Sequence, residues 1–178
     1  KNICSCSNPN CVIVKFNYKI PINYFGARSS QISNLATDGQ SLKFKKLPKI
    51  KKFDKKLLND VDIIFTALPN GEAQNISKYL LKKNTLIDLS ADFRLEKKSN
   101  YQKWYKQKHK AINNIKKSIY ALPEITKNKI KKFKIIGCPG CYPTSILLPL
   151  IPLVKKKIFN LKNIIIDSKS GYSGAGRE

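Results

Sequence analysis

Three short runs of β-branched and apolar residues, at 61–67, 85–89 and 133–137, each break off at a polar, proline or glycine turn, and this spacing constrains the fold more than any other feature of the chain. Strands that are apolar along nearly their whole length, rather than at alternate positions, are buried on both faces. The segments between them are helical in pattern. Ala73, Ile76, Tyr79, Leu80 and Leu81 share one side of a helix that Asn84 ends; residues 100–117 read as one helix and then a solvated connection; Thr126 caps a short helix through Lys132. Strands alternating with helices predict an α/β fold with a parallel sheet covered on both faces. Pro143 suits the first turn of a helix running through Lys157, and residues 164–168 read as a further strand at the entrance to a second domain. The first 60 residues are the least regular. Residues 12–14 suit a strand, but no Gly-x-Gly-x-x-Gly turn follows it.

A length of 178 residues accommodates one domain, or one domain and the beginning of another. The hydrophobic share of 42% is that of a soluble globular protein. The longest apolar stretch, 146–154, is interrupted by Pro149 and Pro152, so no membrane span is expected. The N-terminus shows no apolar segment followed by small cleavage-site residues, which predicts a cytoplasmic protein with reduced thiols. The chain contains no Met, which points to an incomplete reading frame. A net charge of +24 raises nucleic-acid binding as a class, because clustered cations release counterions from phosphates. Here the arginines are only Arg28, Arg94 and Arg177, and the lysines are spread along the whole chain among abundant Asn and Ile. Solvated helix faces account for that distribution, and no nucleic-acid partner is predicted.

The chemistry-bearing residues concentrate at Cys138-Pro139-Gly140-Cys141-Tyr142-Pro143-Thr144. A strand, a Pro-Gly turn, a cysteine and then a helix place the Cys141 thiol at a helix mouth, where partial positive charge and free amides stabilise a thiolate. That is the setting of a nucleophile above a sheet edge; a small buried residue at a tight junction fits the same pattern. A zinc or redox module built on Cys138 and Cys141 is the non-enzymatic alternative. Cys4, Cys6 and Cys11 lack two-residue ligand spacing, and the lone His109 lies in a lysine-rich segment read as surface, so no metal site is predicted.

Five segments taken together resemble the N-acetyl-gamma-glutamyl-phosphate reductase family, within the aspartate-semialdehyde dehydrogenase-like superfamily. They are Thr66-Ala67-Leu68-Pro69-Asn70-Gly71, Asp88-Leu89-Ser90-Ala91-Asp92-Phe93-Arg94-Leu95, Tyr120-Ala121-Leu122-Pro123-Glu124, Pro139-Gly140-Cys141-Tyr142-Pro143-Thr144 and Ser170-Gly171-Tyr172-Ser173-Gly174-Ala175-Gly176-Arg177. The resemblance spans roughly 60–177 and implies a Rossmann-type parallel sheet followed by the start of an α+β catalytic and dimerisation domain. It divides the chain into an incomplete dinucleotide-binding domain, 1–140, and a truncated second unit, 141–178. It implies NADPH-dependent reduction of N-acetyl-glutamyl phosphate, a small acyl phosphate, to the semialdehyde through a thioester on Cys141. Leu68 and Pro69 would line the nicotinamide side, Arg28 and Ser29 would receive the 2′-phosphate of NADP, and Ser173 and Gly174 would approach the cofactor through their amides. A related enzyme acting on aspartyl phosphate is the nearer alternative. The resemblance also implies a homo-oligomer at full length and a catalytic histidine beyond Glu178, so this fragment alone is expected to be inactive. The family usually has Asn where this chain has Cys138. Asp92 and Glu124 are expected to serve loop hydrogen bonding rather than acid-base chemistry.

Overall fold

A computed structural model describes residues 53–158, 161–162 and 164–169. Residues 12–14, Cys4, Cys6, Cys11, Arg28, Ser29, Ser173 and Gly174 lie outside the described residues. The elements run β1 (Ile63–Thr66), α1 (Glu72–Ser77), β2 (Thr85–Asp88), α2 (Lys98–Tyr105), α3 (Ile112–Ile115), β3 (Ser118–Tyr120), α4 (Pro123–Ile130), β4 (Ile135–Gly137) and α5 (Cys141–Lys155), after a 3-10 turn at Lys55–Asp60. The four strands form one sheet in the order β1-β2-β4-β3, and every neighbouring pair is parallel. Parallel neighbours require crossovers, which is why helices intervene between the strands.

Register places side chains in rows across the sheet. Ile64 pairs with Leu86 and Leu86 with Ile135, two residues short of the carboxyl ends. All three are almost wholly buried, and with Leu58, Val61, Ala73 and Phe93 they form the core, against which Phe53 and Leu80 pack. The next row, on the same face, is Thr66, Asp88, Gly137 and Tyr120. Apolar rows hold the sheet while the last row before the loops is polar, and that is where ligand chemistry belongs in a parallel sheet. The opposite face, with Ile63, Phe65, Ile87 and Ile136, is half-buried.

Gly137 ends β4 because nothing larger fits. A Cβ built there would overlap the Phe93 carbonyl, so the loop after β2 lies directly over the strand end. Gly71 precedes α1 in a left-handed conformation (φ 96°), which glycine adopts without the Cβ penalty of other residues.

Several sequence expectations are corrected. The helix after β1 stops at Ser77, and Tyr79 and Leu81 are exposed. Asn84 ends no helix; it organises the turn into β2, its carbonyl accepting from the Leu81 amide at 2.7 Å and its amide donating to the carbonyls of Leu58 and Val61. The helix in 100–117 breaks at Lys106, in the left-handed region, and the connection read as solvated contains α3 and the buried His109, Ala111 and Ile115. Thr126 lies inside α4 rather than at its cap, because Pro123, with its preset φ and missing amide, starts the helix three residues earlier. Its hydroxyl donates back to the Leu122 carbonyl at 2.7 Å. Residues 164–168 form no strand; a strand needs a ladder partner, and these residues have none among the described ones. The edge strand β3, not anticipated as a strand, is too short and too mixed to stand out from its surroundings.

Candidate active site

The nucleophile candidate is assembled from two strand ends, those of β4 and β2. Beyond β4, the Cys138 amide donates to the Asp88 carbonyl at 2.7 Å, extending the ladder past Gly137. The Cys138 carbonyl accepts from Arg94 Nε at 2.8 Å, while Arg94 Nη2 donates to the Leu89 carbonyl at 3.1 Å. One guanidinium thus joins the loop after β2 to the loop after β4. A Cβ on Gly140 would lie 3.4 Å from Arg94 Nη1, so glycine there leaves the guanidinium close beneath the turn. Neither nitrogen pairs with a carboxylate among the described residues. Held by carbonyls among the described residues, this partly buried guanidinium has Nη1 to offer to an anion.

Gly140 is the N-cap of α5, and Cys141 is the first residue of the helix. The Thr144 amide and hydroxyl both donate to the Gly140 carbonyl, at 3.0 and 2.8 Å, closing the first turn. No side chain caps this end. The amides of Cys141 and Tyr142 have no partner among the described residues, and Pro143 has no N–H. Two donors unpaired among the described residues and the positive end of a 15-residue helix therefore lie at the residue that carries the thiol. Cys141 is exposed and Cys138 half-buried, and the two are not joined in a disulfide.

Behind this edge lie two buried carboxylates. Asp88 Oδ1 accepts from the Thr66 hydroxyl (2.9 Å), the Ser90 hydroxyl (2.6 Å) and the Ser90 amide (3.1 Å), and Oδ2 accepts from the Phe93 amide at 3.3 Å. Burial pushes its carboxyl up to about 6; the Ser90 hydroxyl opposes this, the neighbouring charge of Asp92 adds to it, and Thr66 opposes it again. Asp92 Oδ1 accepts from the Gly71 amide (2.7 Å), Gln74 Nε2 (2.9 Å) and the Tyr101 hydroxyl (2.7 Å), and Oδ2 accepts from the Gln74 amide at 3.2 Å. Burial and this bond to Asp92 both push the Tyr101 phenol far above its ordinary range. Asp92 is fully engaged in holding loops, as expected. Glu124 is exposed in the first turn of α4, where its charge complements the helix end.

His109 is not a surface residue: it is 5% exposed, edge-on to both Phe93 and Tyr101. Its Nδ1 accepts from the Ala111 amide at 3.2 Å, so Nε2 carries the proton and donates to the Asp92 carbonyl at 3.0 Å. Burial lowers its basicity, and with both nitrogens engaged it serves as neither base nor metal ligand. The flanking Lys108 and Lys110 are exposed, which is why the segment looks like surface in one dimension. No cluster of three His, Cys, Asp or Glu side chains suited to a metal exists among the described residues. Every described lysine is exposed.

Leu68 and Pro69 are half-buried just beyond β1, where the Pro69 carbonyl accepts from the Glu72 amide at 3.2 Å. Since β2 alone separates β1 from β4, this turn and the Cys138 loop stand about 10 Å apart, two strand spacings. Arg94 is the site residue that sequence reasoning did not single out as functional. Its signal, one of three arginines in a lysine-rich chain, was present.

A parallel sheet with turns and a nucleophile candidate gathered at its carboxyl edge defines an α/β domain of the dinucleotide-binding class. Comparison with known families is specific: a model described as "Semialdehyde dehydrogenase, NAD binding domain" matches residues 12–133, and one described as "Semialdehyde dehydrogenase, dimerisation domain" matches 141–178. The chain belongs to the semialdehyde dehydrogenase family. Among similar proteins, a probable N-acetyl-gamma-glutamyl-phosphate reductase, chloroplastic, of Arabidopsis thaliana is 46% identical over 136 residues, covering 76% of this chain and 34% of that protein. The corresponding protein of Oryza sativa subsp. japonica is 47% identical over 119 residues, 67% of this chain and 29% of its own length. The N-acetyl-gamma-glutamyl-phosphate reductase of Clostridium beijerinckii is 50% identical over 117 residues, 65% of this chain and 34% of its own. The chain spans about a third of the length of these relatives.

Proposed function

We propose that this chain is the cofactor-binding and nucleophile-bearing part of an NADPH-dependent reductase that converts N-acetyl-glutamyl phosphate to N-acetyl-glutamate semialdehyde and phosphate, in arginine biosynthesis. The observation that carries the reading is the exposed Cys141 thiol at the first position of α5, on the carboxyl edge of a parallel sheet in a nicotinamide-binding family. The Cys141 sulfur attacks the acyl carbon, the carbon–oxygen bond to phosphate breaks with its electron pair, and the acyl group remains as a thioester. The amides of Cys141 and Tyr142 stabilise the oxyanion formed on attack. Arg94 Nη1 faces the departing phosphate.

NADPH, when bound, supplies the hydride that reduces the acyl carbon and frees the thiol. The half-buried Leu68 and Pro69, beyond the β1 end, fit the apolar face of a flat ring, and Arg28, Ser29, Ser173 and Gly174 complete the cofactor contacts in this reading. The unit boundary falls at the nucleophile, with 1–140 binding cofactor and 141–178 opening the dimerisation domain, and the working enzyme is a homo-oligomer. Its place is the cytoplasm; the plant relatives are described as chloroplastic. Among the described residues no helix is long and apolar enough to cross a membrane.

The test is made on the complete protein. Mixing it with N-acetyl-glutamyl phosphate without NADPH yields one phosphate per subunit, released in a burst, and an acyl adduct mapped to Cys141 by mass spectrometry. Adduct on Cys138, or none, overturns the assignment.

A further inference from the structure

The loop from Asp88 to Arg94 bonds to the turns on both sides of it. Towards β1, the Asp92 carboxylate holds the Gly71 amide at 2.7 Å, the Gln74 amide at 3.2 Å and Gln74 Nε2 at 2.9 Å. Towards β4, Arg94 holds the Cys138 carbonyl at 2.8 Å. The loop itself is pinned to the sheet by Asp88, through the amides of Ser90 and Phe93, and by the Phe93 carbonyl packed onto Gly137. Asp92 is fully buried, and three further groups brace it: the Tyr101 hydroxyl at 2.7 Å, His109 on its carbonyl, and the Lys110 amide on Gln74 Oε1.

We infer that Asp92 is a positioning residue: through Gly71 and Gln74 it fixes the Leu68–Pro69 turn relative to the Cys141 loop, and so sets the approach of the hydride donor to the thioester. This rests on the functional reading above. The Glu72 amide bonded to the Pro69 carbonyl closes the β1 turn, and Gly71 sits in a left-handed conformation without a side chain to brace it. The carboxylate supplies what the turn lacks. Hydride transfer depends on sub-ångström placement of donor and acceptor, whereas attack by Cys141 does not use the β1 turn at all. Loss of Asp92 therefore separates the two half-reactions.

The experiment compares Asp92→Asn and Tyr101→Phe with the unaltered complete protein. Asp92→Asn keeps size but sets an amide nitrogen against backbone and glutamine N–H donors; Tyr101→Phe removes one donor and leaves the carboxylate, so it carries the test where Asp92→Asn fails to fold. Three quantities are read: the phosphate burst without NADPH, kcat and KM for NADPH oxidation, and deuterium exchange at the Gly71 and Gln74 amides. The expected result for Asp92→Asn is an unchanged burst amplitude with a rate within about threefold, kcat lowered about 100-fold, KM for NADPH changed by less than about fivefold, and faster exchange at both amides. Tyr101→Phe shows the same pattern with a kcat loss of about tenfold. Burst and kcat falling together overturn the inference, as does unchanged kcat with the two amides exposed. An unaltered protein with no burst at all overturns the functional reading instead.

Discussion

At the residue scale, the site depends on the thiol of Cys141 and on two glycines, Gly137 and Gly71, where a side chain is costly. Cys141→Ser replaces sulfur with an oxygen that is not ionised at neutral pH, and reductase activity of the complete protein is expected to fall by about 10³-fold or more with folding intact; the phosphate burst and a thermal melt check this. Gly137→Ala sets a methyl against the Phe93 backbone, which has no rotamer to escape through, and costs about 1–3 kcal/mol, read from the denaturant midpoint. Gly71→Ala costs about 1–2 kcal/mol for a different reason, its φ of 96°, since the added Cβ meets nothing closer than Gln107 Oε1 at 3.4 Å. The lone His109 and Asp88 titrate in opposite senses. His109 is held neutral, so the unfolded chain binds the extra proton, and stability falls as pH drops below 6.5 towards the lower folded value. Asp88, raised from 3.8 to about 6, stabilises the fold fully below 3.8 and loses that contribution as pH rises through 6. Carbon-detected NMR of the carboxyl and imidazole groups separates the two; a His109 midpoint at or above 6.5 contradicts the buried tautomer.

At the element scale, the strands were legible and the helix ends were not. Residues 61–67, 85–89 and 133–137 stood out as runs apolar at successive positions, and β1, β2 and β4 lie within them, with one face buried and the other half-buried. The turn chemistry was harder to read. Asparagine is a poor helix former and Asn84 reads as a breaker, but its side chain holds the nearby Leu81 amide and two carbonyls of another segment, Leu58 and Val61, which adjacency in sequence does not announce. His109 shows the same limit: local lysines signalled solvent, while its true partners, Phe93 and the Asp92 carbonyl, are 16 and 17 positions away. Cys141 was legible as a helix-mouth thiol because Pro143 and the Pro-Gly turn mark that helix start locally. The bond from Arg94 to the Cys138 carbonyl at the foot of the same loop, across 44 positions, was not.

At the scale of the whole molecule, a chain covering about a third of its relatives is expected to bind cofactor without completing the reaction. The 178-residue chain should show no NADPH oxidation with N-acetyl-glutamyl phosphate, whereas the complete protein should; turnover by the chain alone would contradict the need for groups outside it. The helix that carries the nucleophile has no fully buried residue, consistent with its match to a dimerisation domain. It also contains Pro149 and Pro152, neither of which can donate a hydrogen bond to the carbonyl four residues back. Ser145 and Leu148 thus each miss one rung of the helical ladder. The sulfur stands at a stiff end clasped by Thr144, while a compliant joint begins about two turns further along. A load applied beyond Pro149 is therefore expected to bend the helix there before it turns the thiol.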